Sequence, residues 1–479
     1  MRRGITRREL IKGGGVGLCA LALGARLAAA QEKKRPNVLI LTTDQQRVDA
    51  MSAVGNQWVK TPHMDSIAAS GVYFTRSYCP YPLCSPSRSS LHTGRTPHEI
   101  GVDCNSVPID PAIPISGQVF HGAGYDTGYA GKWHMPDAYP LDGIAGYEVL
   151  NKIERKGKVA HEVDEATMTG AIEFLKRRHD KPFLLVASFI NPHDICLLAG
   201  EDSPLLEDVW KMYQPVADAE LPPLPSNFTK AEGPPGADKR TKHEKWDENH
   251  WRRYRYAYYR MVEDVDRQVG QVLEALRQTG QEENTLVIFT SDHGEGLGSD
   301  HWTGKMMFYD DEAAVPLIVS WKGTTPAGRI DREHLVSALD VLPTICDYAG
   351  VQPPPSMRGE SLRAVIEKPD QPGHEFVASE MAGHLGGSGR SFMVRTKKYK
   401  YMVFPSAEGE RFEMLFDMDS DAGEMKNLAG DAALAGELER HRQLLAQWKK
   451  TTEEDKYPIK AKKAKAGNRR GKRKQKQQQ

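Results

Sequence analysis

Continuous apolar runs that end in a polar residue recur along this chain. Pro36–Asp44 reads Pro-Asn-Val-Leu-Ile-Leu-Thr-Thr-Asp, and Tyr125–Ala130 (the most polar of them), Phe183–Ile190 and Leu286–Ser291 are read as similar runs. A strand buried on both faces has no polar side to show, so unbroken runs of this length predict parallel strands inside a sheet. Between them, helical patterns cover Asp164–Arg178 and, longest, Trp251–Arg277. Strands alternating with helices predict an α/β fold: a large, mostly parallel sheet covered by helices on both faces. After about residue 375 the pattern changes. Ser391–Arg395, Tyr399–Phe404 and Met414–Phe416 read as short antiparallel strands, and Gly436–Lys449 as a closing helix. Residues 31–374 are therefore expected to form the main domain, and 375–455 a smaller α+β subdomain with a short antiparallel sheet. Clustered prolines and charges in 197–250, such as Leu221-Pro222-Pro223-Leu224-Pro225, predict a long insertion over the ligand-binding face.

Charge divides the chain further. Over 479 residues, 64 Lys and Arg balance 64 Asp and Glu. Residues 1–30 hold six basic residues against one acid, and 460–479 hold ten against none, which leaves 48 basic and 63 acidic residues between, a net of −15. An acidic body argues against nucleic acid as a partner, and an anionic substrate would depend on cations placed locally in its site. Residues 1–30 read as a twin-arginine export signal: Thr6-Arg7-Arg8-Glu9-Leu10-Ile11-Lys12, a Gly/Ala/Leu stretch to Leu27, then Ala28-Ala29-Ala30 as a cleavage site. The apolar stretch is too short and glycine-rich for a membrane span, so the mature protein is expected without one, in the periplasm or secreted. The basic low-complexity run of 456–479 is expected to be disordered. Of the six cysteines, Cys19 leaves with the signal; Cys79, Cys104, Cys196 and Cys346 match neither a zinc site nor a small disulfide framework.

The remaining cysteine opens the most specific stretch, Cys84-Ser85-Pro86-Ser87-Arg88-Ser89-Ser90-Leu91-His92-Thr93-Gly94-Arg95. Pro86 fixes its own φ and pushes Ser85 toward an extended conformation, which places Cys84 at the start of a helix. Unpaired N–H groups and the helix dipole there favour an anion, and Arg88 follows one turn on. In doubly covered parallel sheets, ligands bind beyond the carboxyl ends of the strands. Asp44, Lys132, His193 and Asp292 all lie at or just after such ends. Paired oxygen donors at two strand ends suit a hard divalent cation.

The twelve-residue string resembles the signature of the type I, formylglycine-dependent sulfatases of the alkaline phosphatase superfamily. The resemblance runs from Asn37 to about Leu428, with Leu415-Phe416-Asp417 and Glu424-Met425-Lys426-Asn427-Leu428 matching a stretch of the family's smaller subdomain. It implies that a formylglycine-generating enzyme converts Cys84 to the nucleophile. It implies a divalent metal, calcium or alternatively magnesium, held by Asp44, Gln45, Asp292 and His293 with the oxygen at position 84. Many members carry Asp-Asp and Asp-Asn where this chain has Asp44-Gln45 and Asp292-His293. The matches to Gly131-Lys132-Trp133-His134, Asn191-Pro192-His193-Asp194 and His301-Trp302-Thr303-Gly304-Lys305 imply that Lys132 binds nucleophile and sulfate, and Arg88 of the Cys84 signature joins the same catalytic set. His134 would act on the hydrated aldehyde, and His193 and Lys305 near the leaving oxygen. His98 and His301 stay outside this set.

The activity implied is hydrolysis of a sulfate ester, with a sulfated carbohydrate as the expected substrate. Arg88, Lys132, Lys305 and the cation would supply the positive charge that the body lacks. A hydrated aldehyde gives the hard cation an oxygen that an unmodified thiolate cannot. One alternative is a phosphate or phosphonate ester hydrolase of the same superfamily. A second is a silent sulfated-glycan-binding protein, against which the complete set of site residues argues.

Overall fold

A computed structural model describes residues 35–459 apart from 137–142, 152–156, 201–202, 216–220, 230–232, 235–242, 244, 384–388 and 406–410. Residues 1–30, expected to be an export signal, and the basic tail beyond its first four residues lie outside the described residues.

Eight strands form the main sheet: β1 (Asn37–Asp44), β2 (Val72–Phe74), β3 (Asp126–Gly131), β4 (Glu148–Val149), β5 (Phe183–Pro192), β6 (Thr285–Ser291), β7 (Leu317–Ser320) and β8 (Arg329–Asp331). Their spatial order is β4-β3-β5-β1-β6-β7-β2-β8. The first five run parallel; β7 is antiparallel to both β6 and β2, and β8 is parallel to β2. The sheet is thus mixed but mostly parallel, as the unbroken apolar runs predict. Each of the four predicted strands lies within one residue of an observed start, and all fall in the parallel half. The short strands β2, β4, β7 and β8 were not expected.

Alternation along β1 shows why both faces had to be apolar. Val38 and Ile40 join a core with Val341, Leu342 and Ile345 of a helix on one face, whereas Leu39 and Leu41 meet Phe174, Leu175, Val265, Val269 and Val272 on the other. Each such side chain, removed fully from water, contributes about 1.5–3 kcal/mol before conformational entropy is counted. The helices that matter here are α1 (Cys84–Thr93), α2 (Ala160–Lys176), α3 (Glu248–Gln278), α4 (Val341–Ala349) and α5 (Ala435–Thr451). Asp247 starts α3 by accepting a hydrogen bond from the His250 amide at 2.7 Å. Among the described residues no helix is long and apolar enough to cross a membrane.

The C-terminal sheet is antiparallel, with β9 (Phe376–Ala382), β10 (Arg390–Thr396), β11 (Tyr399–Pro405) and β12 (Arg411–Asp417) in sequence order. Phe392, Val394, Tyr401 and Leu415 face α5 through Leu438, Leu444 and Leu445. The other face puts Met393, Met402 and Met414 against Met307, Phe308 and Tyr309, so this sheet buttresses the segment that follows Lys305. The expected insertion contributes a helix at Leu206–Tyr213 packed on α3. It also touches the 299–305 loop: Asn227 and Phe228 carbonyls accept from the Asp300 and His301 amides at 2.9 and 3.1 Å.

Candidate active site

Four strand ends and one helix start converge. β1 ends in Asp44 and continues to Gln45, whose φ of 73° turns the chain sharply out of the sheet. β6 delivers Asp292 and His293, and β5 delivers His193. β3 ends in Gly131 at φ 98°, where an added Cβ would lie 2.0 Å from the Ser188 carbonyl. Only glycine permits that close crossing of β3 on β5, and it turns Lys132 inward. α1 begins at Cys84, with Leu83 in extended conformation before it.

Arg88 binds the site together. Its Nε donates to Asp292 Oδ2 at 2.8 Å, one terminal nitrogen to Asp44 Oδ2 at 2.9 Å, and the other to Ser188 Oγ at 2.7 Å and the Lys132 carbonyl at 3.2 Å. Lys132 Nζ is 2.6 Å from Asp44 Oδ2 and 3.9 Å from Cys84 Sγ. Lys305 Nζ lies 3.2 Å from the same sulfur and 2.8 Å from Gln45 Oε1. His293 Nε2 is also 3.2 Å from that sulfur, and His193 Nε2 is 4.0 Å from Asp44 Oδ1. His134, at φ 72°, lies against Cys84, and its carbonyl accepts from Ser85 Oγ at 2.7 Å. The predicted catalytic positions are therefore brought together around Cys84 and Asp44.

These charges act in a desolvated space. Burial and the Asp44 charge raise the Cys84 thiol, yet Lys132, Lys305 and His293 together hold it well below the ordinary thiol value. Asp44 is driven up by burial and overcome by Lys132, His193, Arg88 and Lys305, so it stays ionised well below the usual carboxylate range. Burial pushes Asp292 up to about 6 against the pull of Arg88, with the Asp44 charge adding to the rise. Burial likewise opposes the Lys305 ammonium, but the anionic neighbours, Cys84 first, raise it above an ordinary lysine. Burial lowers His134. With so little solvent around them, these charges are set by one another and not by water.

A divalent cation fits the same residues. One ligand atom from each of Asp44, Cys84, Asp292 and His293 lies within 4.8 Å of all the others, and all four residues are buried. His293 Nδ1 sits 2.9 Å from the Gly294 carbonyl, which can only accept. Nδ1 therefore carries the proton, and in the neutral ring Nε2 presents its lone pair to the cluster. Two carboxylates suit a hard cation; the sulfur does not, and an oxygen at position 84 would complete the set. The buried Nδ1 of His134 has no hydrogen-bond partner in the structure, a further sign that the pocket is shaped around a polar occupant. Gln45 keeps its side chain beside the cluster, with Oε1 accepting from Lys305 and Nε2 donating to Glu295.

Three contributors escaped the sequence reading. Ser188 bridges Arg88 and the Lys132 carbonyl, at 2.7 and 2.8 Å; it was visible as the lone polar residue within Phe183–Ile190. Glu295, directly after Asp292-His293-Gly294, is fully buried and accepts from Gln45, Tyr254 and Gly304. Cys196 lies 3.1 Å from Gln45 Nε2. The five described cysteines are free. His98 pairs with Glu380 of β9 at 2.8 Å, and His301 packs on Phe228 with ring centroids 4.0 Å apart, so both serve contacts other than those around Cys84.

Comparison with known proteins places the chain in a family. Residues 36–351 fit the sulfatase family model, and residues 298–451 fit the model described as N-sulphoglucosamine sulphohydrolase, C-terminal. A Δ4,5-hexuronate-2-O-sulfatase of Bacteroides thetaiotaomicron is 32% identical over 454 residues, covering 89% of this chain and 92% of its own. The solved structure of a 2-O GAG sulfatase superposes with a TM-score of 0.75 at 29% identity, covering 88% of this chain and 93% of that one. A phosphonate monoester hydrolase of Agrobacterium radiobacter shares the fold, with a TM-score of 0.73 at 24% identity over 87% of this chain and 96% of its own. With its main sheet, its C-terminal sheet and its Cys84 site all within these matches, the chain belongs to the sulfatase family and is a sulfatase.

Proposed function

We propose that this sulfatase cleaves sulfate esters of a sulfated carbohydrate after Cys84 has been converted to formylglycine. The observation that carries the reading is the enclosure of Cys84 Sγ by Lys132, Lys305 and His293, at 3.9, 3.2 and 3.2 Å, beside two buried carboxylates that share Arg88. The carbohydrate class is supported by the relative named for a hexuronate 2-O-sulfate, matched over most of both chains.

The chain's own residues divide the work. Lys132 and Arg88, each tied to Asp44, hold positive charge against the sulfate oxygens. Asp44, Asp292, His293 and Gln45 are the residues that would hold calcium or magnesium. That cation, when bound, supplies Lewis-acid polarisation of the ester and lowers the pKa of an oxygen ligand. The hydrated aldehyde at position 84 supplies an oxygen nucleophile for sulfur. His134 stands beside position 84 to move its proton, and His193 and Lys305 face the departing oxygen. The export signal supports a periplasmic or secreted site of action reached by the twin-arginine route.

The fold shared with a phosphonate monoester hydrolase keeps a second reading in view, in which the same cluster takes a phosphoryl or phosphonyl centre. Paired assays decide between them: sulfated mono- and oligosaccharides on one side, phosphate and phosphonate esters of the same alcohols on the other. Higher kcat/KM on the sulfate esters is expected, and a preference for the phosphorus esters would overturn the assignment.

A further inference from the structure

Gln45 carries an amide whose two ends differ only in whether they donate or accept, and the site needs an acceptor at one of them. Lys305 Nζ donates to Oε1 at 2.8 Å. If the amide were turned over, an NH2 group would face that ammonium, donor against donor. Cys196 does not decide the matter, because its sulfur stands 3.1 Å from Nε2 and 3.3 Å from Oε1 and a thiol both donates and accepts weakly. Glu295 supplies the matching acceptor at the other end. Its Oε1 already accepts from the Gly304 amide at 2.6 Å and from Tyr254 Oη at 2.9 Å, and its Oε2 accepts from Gln45 Nε2. Every contact made by this fully buried carboxylate is therefore with a donor.

We infer that Glu295 is a positioning residue that fixes the orientation of the Gln45 amide and thereby the place of the Lys305 ammonium beside position 84. The same carboxylate also ties down Gly304, the residue before Lys305, so it acts on this lysine from two sides. Because the Lys305 ammonium can only donate, Oε1 faces it and Nε2 is left to face Glu295 Oε2.

The inference has a distinctive test. In Glu295→Gln the new side chain is the same size, and the Gly304 and Tyr254 donors keep its oxygen where Oε1 is now. Its NH2 group then takes the place of Oε2, faces Gln45, and turns the Gln45 amide over. We expect kcat/KM on a sulfate ester to fall about 10–100-fold, the span of one hydrogen bond to a charged group. The paired exchange Gln45→Glu with Glu295→Gln restores an acceptor toward Lys305 and a donor between positions 45 and 295. It should recover at least about tenfold of the loss. Urea unfolding of wild type, both single variants and the double variant should show the same coupling. That stability arm does not depend on the sulfatase substrate, so failure of the functional reading and failure of this inference are distinguishable. Glu295→Gln within about threefold of wild type, or a double variant no better than Glu295→Gln, would overturn the inference. If Glu295→Gln does not fold, the double variant must fold; failure of both overturns it as well.

Discussion

Removing the Lys305 ammonium should slow one class of ester far more than another. The nitrogen stands 3.2 Å from Cys84 Sγ and 2.8 Å from Gln45 Oε1, within reach of an oxygen leaving from a sulfur bound at position 84. A sugar sulfate releases a strongly basic alkoxide, whereas an aryl sulfate releases a phenolate whose acid has a pKa of about 10. A unit charge about 4 Å from a developing alkoxide is worth about 4 kcal/mol at an effective dielectric of about 20. Since about 1.4 kcal/mol is tenfold in rate, Lys305→Ala should lower kcat/KM for a sugar sulfate about 10³-fold. The aryl ester, whose departing oxygen needs little help, should lose about tenfold or less. His193→Ala should show the same asymmetry, within the range of about 10²–10⁴ for a lost general acid. The assay measures kcat/KM for both esters with each variant, with sulfate release followed directly. Equal losses on the two esters would assign these residues to sulfate binding and refute the leaving-group role.

Three further outcomes test separate parts of the account. Asp44→Asn should lose most of the calcium-dependent rise in melting temperature, which at a hundredfold excess over Kd corresponds to about 2.7 kcal/mol in the wild type; an undiminished shift would remove Asp44 from the metal site. Gly131→Ala, which drives a Cβ to 2.0 Å from the Ser188 carbonyl at φ 98°, should cost about 2–5 kcal/mol in denaturant unfolding, and a neutral effect would contradict the close crossing of β3 and β5. Far from the site, the Asp340 carboxylate beside His374, at 3.0 Å, raises that imidazole from 6.5 to about 9 against the opposing effect of burial. A raised folded-state pKa stabilises fully below about pH 6.5 and loses its contribution as pH climbs through about 9, a change on the order of 3 kcal/mol. His374→Gln should abolish that loss in unfolding curves at pH 6 and pH 10, and a wild-type slope in the variant would refute the coupling.

What could be seen in the chain beforehand follows from burial and length. β1, β5 and β6 were legible because strands covered on both faces read as largely apolar runs, whereas β3, Asp-Thr-Gly-Tyr-Ala-Gly, carries Asp126 and Thr127 and shows the pattern only weakly. β2, β7 and β8, of three or four residues each, are too short to show a period. β9 was missed because its interior carries Ser379 and Glu380, polar residues that are buried; Glu380 is matched by His98 at 2.8 Å. Cys84, Arg88, Lys132 and the strand-end aspartates announced themselves through local motifs. Glu295 had no such signal: its partners Gln45, Tyr254 and Gly304 come from three other places in the chain. A hydrogen-bond role set by tertiary contacts leaves no mark on one residue's neighbours in sequence.

The most direct test of the central claim is specific activity against the fraction of formylglycine at position 84. Preparations made with graded amounts of the modifying enzyme would be scored by peptide mass spectrometry and assayed on one sulfated sugar. The account predicts a straight line through the origin, with protein carrying only the Cys84 thiol inactive. Full activity in thiol-only protein would contradict it.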